Sequence, residues 1–318
     1  DSFGKDPFEV KNILKYWVFS EKDEFHVIPT DTINIHIDKE AVLRSGIMLP
    51  KAIRHLKGEE LKEAIPDKLC IPLKDVRMLT KVDLLILEML ANCNWERPLY
   101  LAISVGSISK LKFDDYFVQE GLAFRFTPFN YKKWGDADEN RPYAVDVERL
   151  YDNVMNRYKY GGLDTPGLYL DETTLRTCWY HRRLFAQLAK ELIAQGDKVC
   201  AKKVLAYAEQ AVPAYNVPET HESGTYEIAT AYVALGEKMK AILLTEHLIA
   251  EAEDYINWAF SLKGNRIEMI RNDCLYKFWQ WNQYNELLKN IDEKKYKESN
   301  QRLEDKYALF TPTMNYKN

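Results

Sequence analysis

The sequence Tyr160-Gly-Gly-Leu-Asp-Thr-Pro-Gly-Leu-Tyr-Leu-Asp-Glu-Thr-Thr-Leu-Arg176 divides the chain into two parts with different hydrophobic patterns. The part before it mixes strand and helix periodicity, and the part after it is helical throughout. Gly161 and Gly162 accept the positive φ angles that turns need, and residues 164–167 have the composition of a turn. Asp171 is placed to cap the helix that follows. The stretch therefore predicts an elbow between two domains.

The side chains of this elbow also allow a second interpretation, a loop that faces a ligand. Two tyrosines and three acidic residues gather around a rigid turn, and four of them are our candidate ligand-binding residues: Tyr160, Asp164, Tyr169 and Asp171. The corresponding division of the chain is an α/β-type domain at residues 1–142, an elbow at 143–173 and a helical domain at 174–318.

The composition is that of an ordinary globular protein, with 46% hydrophobic and 29% charged residues among 318. The net charge of -4 provides no basic surface for nucleic acid, so we expect no nucleic-acid partner. No apolar run reaches the roughly 18 residues of a membrane span, and residues 82–91 indicate a core helix. The chain begins at Asp1 without a signal-like segment, so we expect a mature or truncated chain that would not show an upstream membrane segment.

The sequence contains no motif of a catalytic, metal or cofactor site. The five cysteines are scattered without a Cys-x-x-Cys pair, which indicates small core residues instead of a disulfide framework or a zinc site. Gly106 and Ser107 follow an apolar strand but lack the spacing of a phosphate-binding loop. The pairs at 221–222 and 246–247 lack the second histidine of a zinc helix. We therefore expect no cofactor, no metal and no catalytic residue.

The first half of the chain predicts a small mixed sheet with helices. Residues 32–38 alternate, with three isoleucines on one face, and predict a half-buried strand. A short strand at 69–73, a helix at 80–95 and an apolar strand at 99–105 form a strand–helix–strand pattern, which predicts a parallel pair of strands. Residues 121–128 alternate like an edge strand that ends at a proline.

Two adjacent aspartates, Asp114 and Asp115, lie in a predicted short helical turn. Neighbouring residues do not face each other on a helix, so they make a poor acid and base pair. A solvated turn is the simpler interpretation, because aspartate is mostly exposed. We include both, together with the elbow, in the candidate ligand-binding surface.

From Thr174 onward the hydrophobic pattern is helical and contains a repeat. The unit around Gly196 and the unit around Gly236 place small and large residues as tetratricopeptide helix–turn–helix units do. The two glycines are 40 residues apart instead of the usual spacing of about 34, and the excess falls in residues 213–223. The fold class is therefore α+β, a small mixed sheet with helices, followed by an all-α tetratricopeptide-like domain.

Two further stretches of the helical part carry distinctive side chains. Residues 276–284 are rich in tyrosine and tryptophan and predict a capping helix with an exposed aromatic face. His181-Arg182-Arg183 predicts a solvated basic face, with phosphate or an acidic partner as the alternative. The charged tail beyond Lys294 predicts a peripheral helix with a frayed end.

Four segments resemble the soluble C-terminal region of a bacterial membrane-protein family, long catalogued as a domain of unknown function and similar to protein O-mannosyltransferases of the C-type glycosyltransferase superfamily. The resemblance covers most of residues 25–215 and weakens toward the C-terminus. The segments are Asn94-Trp-Glu-Arg-Pro-Leu-Tyr-Leu-Ala102, Asp115-Tyr-Phe-Val-Gln-Glu-Gly-Leu-Ala-Phe-Arg125, Tyr151-Asp-Asn-Val-Met155, and Tyr160-Gly-Gly-Leu-Asp164 with Tyr169-Leu-Asp-Glu172.

The resemblance implies a larger protein with many membrane spans before Asp1, a lipid-linked sugar donor, and acidic catalytic residues in an early extracytoplasmic loop. None of those catalytic positions exists in this sequence, so no catalytic residue is transferred to it. The resemblance also implies that this region faces the periplasm, on the outer side of the inner membrane.

Two functions follow as hypotheses. The first is a non-catalytic extracytoplasmic accessory domain of a membrane-embedded, glycosyltransferase-like protein, which holds an acceptor protein or glycan. The second is a cytoplasmic helical-repeat scaffold that binds a peptide or a partner protein on a concave surface. Apolar runs of about 20 residues upstream would favour the first, and a chain without them would favour the second.

Overall fold

The computed structural model describes residues 6, 8–21, 27–28, 30–105, 111, 113–262 and 266–314. The chain divides into two compact units, Asp1–Leu150 (unit 1) and Tyr151–Asn318 (unit 2). Strands are found in unit 1, and the described part of unit 2 is helical, which confirms the predicted α+β region followed by a helical region. No helix among the described residues is both long and apolar enough to cross a membrane. Gly106, Ser107 and the last four residues lie outside the described part.

The helices of unit 1 are short. The first, α1, continues into a π-helical turn, and a separate 3-10 turn contains both candidate aspartates. The bounds are α1 Val10–Ile13 with the π-turn Leu14–Val18, α2 Lys39–Arg44, α3 Gly58–Ala64, α4 Lys81–Asn92, the 3-10 turn Asp114–Tyr116, and α5 Val147–Asp152 with the π-turn Asn153–Arg157. The boundary between the units falls within α5.

The strands of unit 1 form two separate sheets. The first sheet pairs β1 with β2 antiparallel, with Asn34 opposite Cys70. The second has the order β3-β5-β4-β6, antiparallel except for the parallel pair of β4 with β6. The bounds are β1 Thr32–His36, β2 Lys68–Pro72, β3 Tyr100–Ala102, β4 Phe117–Gln119, β5 Ala123–Phe126 and β6 Ala144–Val145.

Two predictions about strand pairing are wrong. The strands on either side of α4, β2 and β3, belong to different sheets and do not form the expected parallel pair. The burial of β2 explains this result, because Leu69 and Ile71 are buried while their neighbours are exposed, as in a one-sided antiparallel strand. The predicted edge strand β5 instead lies between β3 and β4. Pro128 follows the strand and therefore removes no hydrogen bond from the ladder.

The first sheet and two helices form much of the core of unit 1. Isoleucines and leucines of β1 and β2 pack with the buried faces of α1 and α4. The start of α4 is fixed by a capping box, in which Thr80 accepts from the Asp83 backbone and Asp83 accepts from the Thr80 backbone. Trp95 anchors the loop after α4 by donating from Nε1 to the His36 carbonyl at 2.9 Å.

Unit 2 is built from three helical hairpins in its described residues. The hairpins pair α6 with α7, α8 with α9, and α11 with α12, and α6 also packs on α8 while α9 packs on α11. The bounds are α6 Glu172–Ala194, α7 Lys198–Ala211, α8 Thr225–Ala234, α9 Lys238–Ser261, α10 Arg266–Met269, α11 Arg271–Lys289 and α12 Glu293–Met314.

The first two hairpins form for the reasons that the sequence indicates. Asp171 caps α6 by accepting from the backbone N–H groups of Thr173 and Thr174 at 2.9 and 3.1 Å. Gly196 and Gly236 end the first helix of each hairpin with φ angles of 85° and 79°, which favour glycine. The two predicted repeat units therefore correspond to α6–α7 and α8–α9.

The predicted capping helix, α11, pairs with α12 and forms a third hairpin. The ring of Trp281 is fully buried between α11 and α12, and its Nε1 donates to the Ser299 hydroxyl at 2.8 Å. That hydroxyl donates in turn to the Asn285 side chain at 2.6 Å. The charged segment after Lys294 is a long helix whose inner face joins this core through Leu303 and Phe310.

Candidate functional site

The elbow tyrosine Tyr160 has mainly structural contacts. Its hydroxyl donates to the Val154 carbonyl at 2.7 Å. Its ring lies 5.2 Å from the His181 ring and 5.6 Å from the Phe185 ring, measured between centroids. Burial raises the pKa of Tyr160 well above its usual value, so its hydroxyl stays protonated. The tyrosine fastens the elbow to α6.

The other three elbow candidates differ in what they contact. The Tyr169 side chain is 88% exposed, and the Asp164 side chain is exposed while the Asp164 carbonyl accepts from the Tyr215 hydroxyl at 2.6 Å. The Asp171 carboxylate caps α6, and the hydrogen bond from the Thr174 hydroxyl lowers the pKa of Asp171. Ligand binding by these residues stays a prediction.

The acidic turn belongs to unit 1, whereas Tyr160, Asp164, Tyr169 and Asp171 belong to unit 2. Asp114 is exposed, as predicted for a solvated turn. Asp115 accepts from the Asn130 side-chain amide at 3.3 Å, and its carbonyl accepts from the Tyr131 backbone N–H at 2.8 Å. These contacts position the loop after β5.

The most distinctive surface of unit 2 is a cluster of aromatic rings, only part of which is predicted from the sequence. We name it the aromatic site, and it consists of His221, Tyr226, Tyr276, Trp279 and Tyr284. The four partner ring centroids lie between 5.8 and 6.3 Å from the His221 ring centroid. The imidazole therefore joins α11 to the loop before α8.

Two rings of the aromatic site are presented to solvent. Tyr276 and Trp279 stand one helical turn apart on α11 and are stacked, with centroids 5.6 Å apart and planes inclined by 15°. The two side chains are 46% and 51% exposed. The exposed aromatic face predicted for residues 276–284 is thus present on α11.

His221 packs against both Tyr276 and Trp279. Its ring meets the rings of Tyr276 and Trp279 edge to face, at 87° and 76°. Its Nδ1 shares a hydrogen bond of 2.9 Å with the hydroxyl of Tyr284, which is buried. Burial lowers the pKa of His221, although nearby carboxylates oppose the shift, so the imidazole is neutral at pH 7.

Several charged groups surround the aromatic site. Glu222 accepts from the Gln280 side-chain amide at 3.4 Å, and Glu251 pairs with the Lys277 ammonium at 3.4 Å. Burial raises the pKa of Glu222, but its own backbone N–H, Lys277, the Gln280 amide and His221 together lower it by more, so Glu222 stays ionised. Glu227 is exposed on the first turn of α8.

The loop that carries His221 is held by a buried arginine, Arg182. Its guanidinium donates to Ser223 Oγ at 2.9 Å and to three backbone carbonyls, those of Val212, Val217 and Pro218. Arg182 is 4% exposed, so the prediction of a solvated basic face is wrong for this residue. The cause is the loop after α7, whose carbonyls replace water around the guanidinium.

Two cavities in unit 2 are also candidate sites. One of about 440 Å³ lies between α9 and α12, where Lys295 pairs with Glu246, and Arg302 with Glu253. The other, of about 280 Å³, lies among α7, α8 and α9, where apolar residues are bordered by the bonded set Glu209, Tyr232 and Lys240.

Unit 1 contains a buried ionic cluster around Glu120. The Glu120 carboxylate lies 2.6 Å from the Arg149 guanidinium and 3.7 Å from that of Arg125, and it accepts from the Tyr100 hydroxyl at 2.9 Å. Both arginines also donate to the Gly46 carbonyl. These contacts join the end of α2 to β5 and α5, which is a structural role.

No group of three or more His, Cys, Asp or Glu side chains among the described residues is arranged to hold a metal ion. All five cysteines are free; Cys93, Cys178 and Cys274 are buried as small core residues, whereas Cys70 is exposed. The aromatic site and the two cavities are therefore the candidate sites.

Comparison with known proteins gives one family match. Residues 3–147 match TMEM260-associated domain 2, a domain associated with a predicted transmembrane protein. The match agrees with the coarser part of the resemblance, a region associated with a membrane protein. No curated protein and no solved structure matches the chain. The matched range covers nearly all of unit 1 and leaves the aromatic site outside it.

The stretch at residues 276–284, for which the sequence predicts an exposed aromatic face, contains three of the five residues of the aromatic site. The abundance of tyrosine and tryptophan in residues 276–284 is the signal that predicts an exposed aromatic face. His221 was considered only as a metal ligand, because its aromatic partners are distant in the sequence. The available signal for His221 is its position in residues 213–223, where the chain is longer than the usual repeat.

Proposed function

We propose that this chain is a non-catalytic accessory region of a larger membrane-embedded, glycosyltransferase-like protein, and that its aromatic site holds the acceptor, a protein or a glycan. The observation that carries the proposal is the stacked and half-exposed pair Tyr276 and Trp279 on a rigid helical hairpin. The family match of unit 1 supports the association with a membrane protein.

The physical basis is the amphipathic character of the two rings. Tyrosine and tryptophan provide a large apolar contact area and retain a polar group, and few rotamers are lost when they bind. Here the rings are held in place by each other and by His221, so binding would order little that is not ordered already.

The proposed location is the periplasmic side of the inner membrane. Fractionation of the whole gene product in its native cell, with protease protection of this region, tests it. Membrane pelleting with the region accessible from the outer side agrees with the proposal. A product that is free in the cytosol contradicts it.

Acceptor holding is tested by binding of candidate acceptors to the chain with Trp279→Ala. Trp258→Ala is the matched control, because Trp258 is also about half exposed, at 49%, and also packs on a tyrosine, Tyr255 at 5.3 Å. The proposal predicts loss of binding for the first variant and unchanged binding for the second. Equal binding by both variants would remove the aromatic site from the function.

A second candidate function is a cytoplasmic repeat scaffold that binds a peptide. The observation that favours it is the cavity of about 280 Å³ between the first two hairpins, bordered by the 62% exposed side chain of Leu243. Hairpin arrays offer such surfaces to extended or helical segments. Leu243→Asp should abolish binding if this cavity is the site and leave binding unchanged if the aromatic site is.

A further inference from the structure

We infer that the aromatic site recognises a positively charged side chain, arginine or lysine, on a polypeptide acceptor. The inference rests on the proposed function, because it specifies the chemistry of the acceptor that the same site would hold. Three properties of the site carry it: its charge, its exposed ring faces and the contacts of the cations already near it.

The first property is an excess of negative charge. The carboxylates of Glu222, Glu227 and Glu251 and the ammonium of Lys277 are the charges that act on the His221 ring. The ammonium is matched by Glu251. In the described part of the chain, neither Glu222 nor Glu227 forms an ion pair with a side chain. Both carboxylates are therefore available to pair with the cation of a ligand.

The second property is the pair of exposed rings. The face of a tryptophan or tyrosine ring attracts a cation within about 6 Å of its centroid. Tyr276 and Trp279 present two stacked, half-exposed rings, and both contact the His221 ring on which these carboxylates act. A guanidinium can stack on such a surface and donate to a carboxylate at the same time, since it is planar.

The third property is the behaviour of the cations that already lie nearby. The Lys277 ammonium is 5.9 Å from the Tyr255 ring centroid while it pairs with Glu251. The Arg183 guanidinium is 5.9 Å from the Tyr180 ring and donates to the Glu222 carbonyl, not to its carboxylate. Both contacts combine a ring with an oxygen acceptor, which is the arrangement inferred for the ligand.

Other ligand classes fit the charge less well. A phosphate or an acidic peptide would approach two carboxylates, and the neutral His221 offers it no positive charge. A neutral sugar could stack on the rings, but it carries no charge that matches the carboxylates. The dependence of binding on ligand charge therefore separates a basic polypeptide from a glycan.

The test uses pentapeptides that differ only in a central arginine, lysine, citrulline or glutamate, and a neutral oligosaccharide, added to the whole chain. Binding is followed by the NMR signal of the Trp279 indole N–H, which is assigned with Trp279→Phe. Citrulline has nearly the shape of arginine without its charge. We expect the arginine peptide to bind at least about fivefold more tightly than the citrulline peptide, as expected for a cation–π contact next to carboxylates.

Variants of the acids give the second measurement. Glu227→Gln, at an exposed position, should reduce the preference for arginine over citrulline and its dependence on salt. Glu148→Gln is the control, an exposed acid of unit 1 outside the aromatic site. The same preference in both variants would overturn the inference.

The outcomes for the inference and for the proposed function are distinguishable. Equal shifts of the Trp279 signal by arginine and citrulline peptides, or a shift by the oligosaccharide only, would overturn the cationic inference and leave acceptor holding intact. A Trp279 signal that responds to none of the probes or acceptors would overturn both.

Discussion

Replacing Arg182 with methionine should destabilise unit 2 and release the loop that carries His221. The guanidinium is buried, and it donates to Ser223 Oγ and to carbonyls at both ends of residues 212–218. Methionine fills a similar volume but donates no hydrogen bond. The three carbonyls would then lose the donor that satisfies them within the fold.

The magnitude follows from two opposing contributions. A hydrogen bond from a charged group contributes about 1.5–3 kcal/mol, and four bonds at the lower end give about 6 kcal/mol. Burial lowers the pKa of Arg182 to about 10, which corresponds to a cost of about 3 kcal/mol for keeping the charge inside. The expected loss in the free energy of unfolding is therefore about 3 kcal/mol. Arg182→Lys should lose less stability than Arg182→Met, because an ammonium still donates to some of the acceptors.

The assay combines urea unfolding of the whole chain with hydrogen exchange measured by mass spectrometry. Exchange locates the change, because the Val217 N–H donates to the Pro213 carbonyl and the Gly224 N–H to the His221 carbonyl. Both should exchange faster in Arg182→Met. Arg176→Met is the control on the same helix, where an exposed pair with Glu172 contributes about 0–0.5 kcal/mol.

Two results would refute this reasoning. One is a free energy of unfolding of Arg182→Met that equals the wild-type value within about 0.5 kcal/mol. The other is a loss of stability without faster exchange in residues 212–224, since the arginine would then stabilise the chain by another route. If Arg182→Met and Arg176→Met lost the same free energy of unfolding, the loss would come from replacing any arginine of α6 and not from the contacts of Arg182.

Two further changes test the same part of unit 2. Gly224→Ala should reduce the free energy of unfolding by at least about 1 kcal/mol, because φ is 87° and the new Cβ would lie 2.9 Å from Arg183 Cγ. Gly196→Ala should cost less, because φ is a similar 85° but no atom lies within 4 Å of the new Cβ. Equal losses of the two variants in urea titrations would show that the contact with Arg183 does not destabilise Gly224→Ala. Burial lowers the pKa values of His181 and His221, so the unfolded chain binds protons more readily and stability should fall as the pH drops below about 6.5. Urea midpoints measured from pH 8 to pH 5 check this, and His181→Phe should show a smaller decrease than the wild type.

The sequence was sufficient for features that depend on local geometry. Asp171 was recognised as a helix cap because a carboxylate at that position satisfies free backbone N–H groups whatever the tertiary structure. Gly196 and Gly236 marked the turns of the first two hairpins because both need a positive φ. The pairing of helices followed from these ends, since short connections bring successive helices together.

Strand pairing was less predictable, because short strands choose partners by tertiary contacts. The apolar run at residues 99–105 resembled a strand buried on both faces, yet only Tyr100–Ala102 is strand, and Tyr100 is half exposed. The pairing of β2 with β1 depends on burial against α1 and α4. A pattern of single segments contains no direct information about such partners.

Burial of charge was also hidden in the sequence. Arg182 and Arg183 are adjacent in one helix and both donate to carbonyls of the loop after α7, but only Arg182 is buried. The third hairpin was underestimated for a related reason, because its turn at residues 290–292 has no glycine and α12 is highly charged. In both cases the deciding contacts come from residues that are distant in the sequence.

The loop between α7 and α8 connects the repeat architecture to the candidate function. The spacing of 40 residues between Gly196 and Gly236 exceeds the usual repeat by about six residues, and the excess lies in this loop. Those residues provide His221 and Glu222, and Arg182 fixes the same loop from within. The ring of His221 then contacts Tyr276 and Trp279 of the third hairpin. An insertion that is long for a turn, yet held by the buried Arg182, is better explained by the surface it builds than by stability alone, because a shorter loop would join the same helices at a smaller entropic cost.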